Sequence, residues 1–390
     1  MALHGKTWMI FLFWICMMGG GNAQTVEVEP IGLLFDWRQQ RCAHWDIVDT
    51  PARAWRDGHG MIHVLAGAET SRASVANVLD IDLTRDCTER LVSPQNPDPA
   101  QRSDRLWIAS VFTQDGVAVE ALIHAEYHGH RHPGQCASRD YMPCWRNAIL
   151  ATTSSNGGRT FDTSMIPVAT LPYSFDPEQT RRSGYFNPSN MFNHDGWLYT
   201  YFFAEAYEAQ QRGVCLMRRP VTGSPKDWQF WDGQSFSGRF KDPYREKISD
   251  PAMHVCAPLP GLRSVLSSVI RQGDKFLAVT PMTRPDLQGK TVSGIWALQS
   301  SDLINWDRPK LLIALPLLWR RDCKLPYAVA YPSLLDPQST SRMFDVTDGD
   351  LWLTYVRIAL GKACKTHAQR DLVAHRLSWP LPSVVPAKEP

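Results

Sequence analysis

Short runs of β-forming residues, separated by turn residues, recur along the chain. In the clearest case, residues 191–192 are joined to the aromatic run 197–203 through the turn NHDG at 193–196. Asp and Gly tolerate the positive φ angles of tight hairpin turns, so this pattern predicts a β-hairpin. A carboxylate, aromatic residues and an arginine crowd the segment 205–212 that follows, which makes it a candidate site.

The same layout occurs four more times. The paired runs lie at residues 49–55 and 61–65, at 106–112 and 117–124, at 265–270 and 276–280, and at 331–335 and 351–356. Each pair encloses a turn with glycine and aspartate, and each is followed by more strand-forming residues. Repeated units of this kind are typical of propeller blades. The sequence therefore predicts an all-β fold, a five-bladed β-propeller with long inserted loops.

The first 23 residues have the pattern of a secretory signal peptide. Lys6 precedes an apolar run at 8–18, and small residues lead to Ala23. The run is too short to span a bilayer, so we expect cleavage after Ala23. A single propeller domain at 24–390 would then be secreted or periplasmic, with no integral membrane span. An uncleaved membrane anchor is the alternative for this segment.

Charge and cysteine content narrow the possible partners and the compartment. With 41 basic and 39 acidic residues the net charge is +2, which argues against nucleic acid as a partner. Outside Cys16 of the signal segment, eight of the 9 cysteines remain. An even number predicts up to four disulfides in an oxidising compartment, with the connectivity open. Cys136 and Cys144 bracket a short loop and are the expected pair.

Two turn motifs resemble those of known propeller families. The segment SSNGGRTF at 154–161 resembles the Asp-box of sialidase-type propellers, with Asn156 in the Asp place and Phe161 in the Trp place. The segment SSDLINW at 300–306 resembles a hairpin of the five-bladed propellers of glycoside hydrolase family 43 and its relatives. Side chains in such turns bond to the backbone, so the motifs support the fold rather than an activity.

The resemblance to family 43 implies a carboxylate site in a central funnel. That family cleaves glycosidic bonds with an aspartate base, a second aspartate that adjusts a pKa, and a glutamate acid. One carboxyl must be protonated and another ionised for this reaction. Asp49 matches the base by its position at the first inner strand, and Asp104 takes the second place. Glu205 is the candidate acid and Glu126 the alternative, each placed after the second strand of a repeat.

Purely structural roles are the alternative for these carboxylates. Asp49 precedes Pro51, and Asp often fills such turn positions. The Ala-Glu-x-Tyr pattern around Glu126 and Glu205 is equally compatible with a structural link between strand and loop, because carboxylates near arginine often form structural ion pairs.

The candidate substrate-binding residues are aromatic and polar residues near these carboxylates, because sugar CH groups favour aromatic surfaces. They are Trp45, Tyr127, His128, His130, Tyr185, Asn187, Tyr207 and Arg212.

Three functions are compatible with the sequence. The first is an exported glycoside hydrolase with a carbohydrate substrate, no cofactor and no metal. The second is a carbohydrate-binding propeller without catalysis. The third is a metal-dependent hydrolase that uses the histidines of segment 124–132, since neutral imidazole binds transition metals and a bound ion activates water. The same histidines could instead order a loop or bind an anion.

Overall fold

The computed structural model describes residues 27–286 and 288–379, and their regular structure is almost entirely β. The strands form five blades: three are separate four-stranded sheets, and the other two are joined in one nine-stranded sheet. This confirms the predicted five-bladed propeller with long loops. The expected signal peptide at 1–23 lies outside the described residues.

The strands follow one another blade by blade. The first, β1 (Glu27–Phe35), belongs to the last blade. Blade 1 contains β2 (Arg53–Arg56), β3 (Ile62–Leu65), β4 (Thr70–Ala76) and β5 (Thr84–Val92). Blade 2 contains β6 (Arg105–Phe112), β7 (Val119–His128), β8 (Trp145–Ser154) and β9 (Ile166–Ala169). Blade 3 contains β10 (Ser183–Phe186), β11 (Phe192–His194), β12 (Trp197–Ala204), β13 (Gly213–Pro220) and β14 (Gln229–Phe230).

The last two blades complete the ring. Blade 4 contains β15 (Ser268–Gln272), β16 (Lys275–Pro285), β17 (Thr291–Ser300) and β18 (Lys310–Ala314). Blade 5 contains β19 (Tyr327–Leu335), β20 (Asp350–Leu360) and β21 (Thr366–Ser378), and β1 pairs antiparallel with β21 as its outermost strand. Among the described residues, helical structure is limited to α1 (Trp37–Gln40) and short 3₁₀ turns. Within the described part of the chain, no helix is long and apolar enough to cross a membrane.

Arg53 ties the inner segments of the blades together at the centre. Its guanidinium group donates to the carbonyl oxygens of Ala109 at 2.9 Å, Ser267 at 3.0 Å and Pro188 at 3.4 Å. It also donates to the Ser333 hydroxyl at 3.1 Å. These partners belong to blades 2 to 5, and Arg53 itself to blade 1. Burial lowers the pKa of Arg53 to about 9, so it stays protonated at neutral pH.

The Asp-box turn connects blade 2 to blade 1. The hydroxyl of Ser154 accepts from the Asn156 and Gly158 amides, at 3.3 and 3.0 Å. The indole of Trp55 in β2 donates to the Gly157 carbonyl at 2.9 Å. Gly158 has φ +83°, and a Cβ atom there would lie 2.6 Å from the Trp55 ring. Glycine is therefore required by both the backbone angle and the contact with the next blade.

Four disulfides cross-link the chain. They join Cys42 to Cys87, Cys136 to Cys144, Cys215 to Cys256, and Cys323 to Cys364. Both the number and the Cys136–Cys144 pair agree with the sequence-based expectation. Disulfides in this number are typical of proteins that fold in an oxidising compartment.

Candidate functional site

Blades 2 and 3 merge into one continuous sheet. The merger is a short parallel pairing of β8 with β10, in which Arg146 lies opposite Ser183 and Asn147 opposite Gly184. Side chains alternate between the two faces of a strand, so Glu126 shares a face with His124 and His128. We call this side the funnel face. Tyr127 and Arg146 lie on the reverse face.

Asp49 lies at the opening of β2, next to the funnel face. Its carboxylate forms an ion pair with Arg370 of β21, and its side chain is 17% exposed. The side chains of Tyr331 and Trp107 adjoin it. Burial raises the pKa of Asp49, while Arg370, Tyr331 and Trp107 act in the opposite direction. Three blades therefore contribute to the surroundings of this carboxylate.

Tyr331 reaches Asp49 from an irregular position in β19. The pairing of β19 with β20 shifts register between Ala330 and Ser333, and Tyr331 has a left-handed φ of 58°. Bulky residues rarely adopt this angle, and such conformations concentrate at functional sites. The bulge turns Tyr331 out of the regular alternation of the inner strand.

Glu126 is held between two histidines on the funnel face. The Nε2 atom of His128 lies 2.7 Å from one carboxyl oxygen, and Nε2 of His124 lies 3.6 Å from the other. Burial raises the pKa of Glu126 to about 7; His124 opposes this shift, and the negative charges of Asp49 and Glu69 add to it. A sizeable fraction of Glu126 is therefore protonated at neutral pH. The strand β7 continues to His128, so Glu126 lies inside the second strand rather than after it.

His128 is a neutral neighbour for Glu126. Burial lowers the pKa of His128 to about 3, so its ring carries no charge at neutral pH. Its ring lies edge-on to Tyr141, with 5.0 Å between centroids, and Tyr141 stacks on Trp145 at 4.6 Å. Burial and the nearby Glu126 charge raise the pKa of Tyr141. These rings pack around the histidine that contacts the Glu126 carboxyl group.

Glu205 lies in a different environment from Glu126. Arg182 forms an ion pair with one of its oxygens, and Nε of Arg212 lies 2.9 Å from the other. Arg182 is also packed against the rings of Trp145 and Phe186, at 5.2 and 5.1 Å from their centroids. Both oxygens of this carboxylate are therefore engaged by guanidinium groups.

Three carboxylates around the funnel are paired with arginines, and Glu126 is not. Asp49 pairs with Arg370, Glu69 with Arg105, and Glu205 with two arginines. Among the described residues, no arginine or lysine nitrogen lies within 4.0 Å of the Glu126 carboxylate, which contacts only histidines. Glu126 is thus a funnel carboxyl group with a raised pKa and no arginine or lysine partner.

Asp104 and the histidine-rich loop form a structural unit. The Asp104 carboxylate is 1% exposed, accepts from the His128 amide at 2.8 Å, and lies 3.1 Å from Nε2 of His132. His130 packs against His128 and Tyr141, with centroid distances of 5.8 and 5.5 Å. Across residues 27–286 and 288–379, no group of three or more His, Cys, Asp or Glu is arranged to hold a metal ion. The carboxylates of Asp49 and Glu69 contribute to the raised pKa of Glu126.

Several aromatic candidates lie away from the funnel face. Tyr127 is buried on the reverse face and donates to the Pro97 carbonyl at 2.9 Å. Tyr185 is fully buried, and its hydroxyl donates to Gln210 at 2.8 Å. Tyr207 receives the Arg146 guanidinium over its ring, at 5.2 Å. These contacts give the three tyrosines packing roles, so we leave them out of the funnel site.

The remaining candidates differ in exposure. Trp45 is 67% exposed and meets His44 edge-on, at 5.1 Å between centroids. Asn187 follows β10 of blade 3 and has a left-handed φ of 46°.

Sequence reasoning missed Tyr331, Arg370 and other residues that reach the funnel from neighbouring blades, namely Glu69, Arg105, Trp107, Tyr141 and Arg182. A proline follows closely after Asp49 and directly after Tyr331, and this shared pattern was the one signal for Tyr331.

The ring of five blades around Arg53 defines the class of the protein as a five-bladed β-propeller. No protein family model matches the chain, and no curated protein matches its sequence. Solved structures with a similar fold include a Cellvibrio cellulosa alpha-L-arabinanase complexed with arabinohexaose, at 12% identity and a TM-score of 0.45, covering 86% of this chain and 93% of that one.

Two further structures show the same level of likeness. A GH43_1 enzyme from Xanthomonas citri has 9% identity and a TM-score of 0.48, covering 89% of this chain and 90% of that one. An exo-1,5-alpha-L-arabinanase from a bovine ruminal metagenomic library has 12% identity and a TM-score of 0.45, covering 86% and 96%. Likeness at this level concerns the fold and carries no argument about activity.

Proposed function

We propose that the protein is an exported glycoside hydrolase whose reaction takes place between Asp49 and Glu126. One observation carries the proposal. Glu126 has a pKa raised to about 7 in a funnel where Asp49, its carboxylate neighbour, is ion-paired with Arg370. Glycosidic cleavage needs this combination of one protonated and one ionised carboxyl group.

Glu126 is the proton donor in this proposal. Its proton passes to the glycosidic oxygen as the bond from that oxygen to the sugar carbon breaks, and Glu126 is left as a carboxylate. Asp49 supplies negative charge at that carbon, as a base toward water or as a nucleophile. Glu126 is preferred to Glu205 as the acid, because both carboxylate oxygens of Glu205 are engaged by Arg182 and Arg212.

The charge pattern of the funnel favours an uncharged substrate. The arginines of the funnel, Arg370, Arg105, Arg182 and Arg212, are each paired with a carboxylate. No guanidinium of this group is left to neutralise an acidic sugar, whereas carboxylates, histidine rings and Tyr141 offer hydrogen bonds and a ring face to hydroxyl groups. A neutral glycan is therefore the proposed substrate class.

The test is hydrolysis of a panel of neutral polysaccharides and aryl glycosides by the purified mature protein. Glu126→Gln should lower the rate on polysaccharides by about 10²–10⁴-fold, because general acid catalysis is lost. The same variant should keep most of its activity on dinitrophenyl glycosides, whose leaving group needs no proton. Asp49→Asn should inactivate the enzyme toward both substrate types.

Glu205→Gln is the matched control for a carboxyl group of the same sheet. It should show no selective rescue by a good leaving group, since its role is to hold two arginines. Circular dichroism checks that all variants fold. Binding of a polysaccharide without release of reducing ends would reject hydrolysis and favour the carbohydrate-binding alternative. Full activity of Glu126→Gln on natural substrates would reject Glu126 as the proton donor.

A further inference from the structure

Two loops of blade 5 form one exposed surface. Residues 318–325 precede β19, and residues 361–367 run from the end of β20 into the start of β21. The disulfide between Cys323 and Cys364 cross-links the two loops, with 5.2 Å between the Cα atoms. We call this pair of loops the basic surface, because of the side chains that it exposes.

The basic surface carries five exposed cationic side chains and one acidic side chain. The cations are Arg320, Arg321, Lys324, Lys362 and Lys365. The acidic residue, Asp322, accepts from the Lys324 amide at 2.9 Å, so its carboxylate shapes the loop. Among the described residues, no carboxylate oxygen lies within 4.0 Å of the charged nitrogens of these five cations. The positive charge of the surface is therefore not neutralised within the described part of the chain.

The lack of ion pairs is confined to the loops of this blade. In its strands, Arg357, Arg370 and Arg376 each pair with a carboxylate. Acidic partners are thus placed beside the arginines of the sheet, and the cations of the loops have none. Like charges that are held together repel one another, and a bound polyanion would relieve this repulsion.

A tight turn in the second loop keeps two of the charges together. The Lys365 amide donates to the Lys362 carbonyl at 3.3 Å, and the residues between them, Ala363 and Cys364, have left-handed φ angles of 54° and 60°. Residues other than glycine seldom adopt this conformation, and such strain concentrates at functional positions. The turn places a lysine at each of its ends, although like charges at neighbouring positions are unfavourable.

Aromatic rings continue the basic surface toward blade 1. His367 meets Trp37 at 6.3 Å between ring centroids, Trp37 meets His44 at 5.7 Å, and His44 meets Trp45 at 5.1 Å. We call these four rings the ring row. Trp45 is 67% exposed, and Trp319 of the first loop is 65% exposed; they are the exposed tryptophans of the described residues. The CH groups of sugar rings favour such aromatic faces.

These features favour a polysaccharide over a lipid surface. The basic surface is made of loops, and irregular backbone does not enter the hydrocarbon of a membrane. Two members of the ring row are histidines, which are polar, whereas interfacial anchors present a continuous apolar face. His367 also lies in the same strand as Arg370, the partner of Asp49, so a polymer bound here would lie beside the funnel.

We propose that the basic surface binds a linear acidic polysaccharide. The carboxylates of the polymer meet the lysines and arginines of the two loops, and its sugar rings contact Trp319 and the ring row. The arginines of the funnel are each paired, so the acidic chain is held at the rim while a neutral chain occupies the funnel. This binding needs no hydrolysis and goes beyond the proposed function.

Affinity electrophoresis of the full mature protein tests the proposal. Sodium polygalacturonate and sodium alginate in the gel should both retard the protein, and dextran, a neutral polymer, should not. Retardation should disappear as salt is raised to about 1 M, because the screening length then falls to about 3 Å.

Variants of the basic surface separate the charges from the ring. A variant that combines Lys324→Gln, Lys362→Gln and Lys365→Gln should weaken polygalacturonate binding about tenfold or more, because three unpaired charges are lost. Replacing the same three lysines by arginine keeps the charge and should keep the binding. Trp319→Ala should weaken binding about threefold to tenfold through the loss of a stacking face. Circular dichroism checks that each variant folds.

The matched control removes three positive charges outside blade 5. It combines Lys226→Gln, Lys247→Gln and Lys275→Gln and should bind polygalacturonate as the wild type does. Glu126→Gln should also bind normally, which separates this surface from the proposed hydrolysis. Equal retardation by dextran, an equal loss in the control, or no retardation by either acidic polymer at low salt would overturn the proposal. Stronger binding to phosphatidylglycerol vesicles or to single-stranded DNA than to polygalacturonate would overturn it as well.

Discussion

Arg53 and Ser333, 280 positions apart, are joined by a hydrogen bond of 3.1 Å at the centre of the propeller. The same guanidinium also bonds to backbone oxygens of Ala109, Pro188 and Ser267. One side chain thus satisfies acceptors from every blade. The inner segments of the blades would otherwise bring these oxygens together without donors, which is unfavourable inside a protein.

Replacing Arg53 should therefore destabilise the whole ring. Arg53→Met leaves several buried oxygens without donors, and each such group costs about 1–3 kcal/mol. We expect a loss of at least about 3 kcal/mol in the free energy of unfolding, measured in guanidinium chloride. Arg320→Met, at an exposed position, is the control and should change little. An unchanged midpoint for Arg53→Met would contradict the role of Arg53 as the link between blades.

The pH profile of hydrolysis should report the proton of Glu126. A general acid works in its protonated form, so kcat/KM should be maintained below about pH 7 and fall as pH rises through the pKa of about 7. Glu69→Gln removes one of the negative charges that raise this pKa, and it also frees the positive charge of Arg105. Both effects should move the alkaline limb to lower pH. Glu246→Gln, outside the funnel, should leave the limb in place.

The raised pKa of Glu126 also predicts how stability varies with pH. The folded state binds this proton more tightly than the unfolded state, whose carboxyl pKa is near 4.5. Stability should therefore fall as pH rises from about 4.5 to about 7 and level off above this range.

Glu126→Gln measures the size of this effect. The variant lacks the titrating group, so the fall between pH 5 and pH 8 should be smaller than in the wild type, by up to about 3 kcal/mol. Urea unfolding at both pH values gives the difference. Parallel pH dependence in the two proteins would show that Glu126 titrates normally.

Gly158 offers a paired test of the contact between blades 1 and 2. Gly158→Ala would place a Cβ atom 2.6 Å from the Trp55 ring, at a φ of +83°. Gly60 has nearly the same φ, +86°, but nothing lies within 4 Å of the corresponding Cβ. Gly60→Ala should cost about 1–2 kcal/mol from backbone strain alone. Gly158→Ala should cost about 1–3 kcal/mol more because of the steric overlap, as measured by thermal unfolding.

The fold was accessible from the sequence because its signals are local. Each hairpin is indicated by β-forming runs on either side of a turn with glycine, as at Asp195 and Gly196. The short loop between Cys136 and Cys144 predicts one disulfide. These features depend on residues a few positions apart. The number of blades and the all-β class follow from counting them.

The site was only partly accessible, since it depends on contacts between blades. The role of Glu126 rests on its strand register, which sets it between His124 and His128, and on the approach of Asp49 from blade 1. Glu205 stands in a similar sequence pattern, yet Arg182 and Arg212 neutralise it. Local sequence shows neither a neighbour from another blade nor the face on which a side chain lies.

The pairing of β1 with β21 has a consequence for how the chain reaches this structure. Residues from Glu27 onward must meet residues up to Ser378, so the last blade closes only when nearly the whole described chain is in place. Contacts that span such separations form slowly. Until β1 docks, β21 is an open edge to which a strand of another molecule can pair. By covering the edge of β21, β1 therefore both closes the ring and protects the folding chain from aggregation.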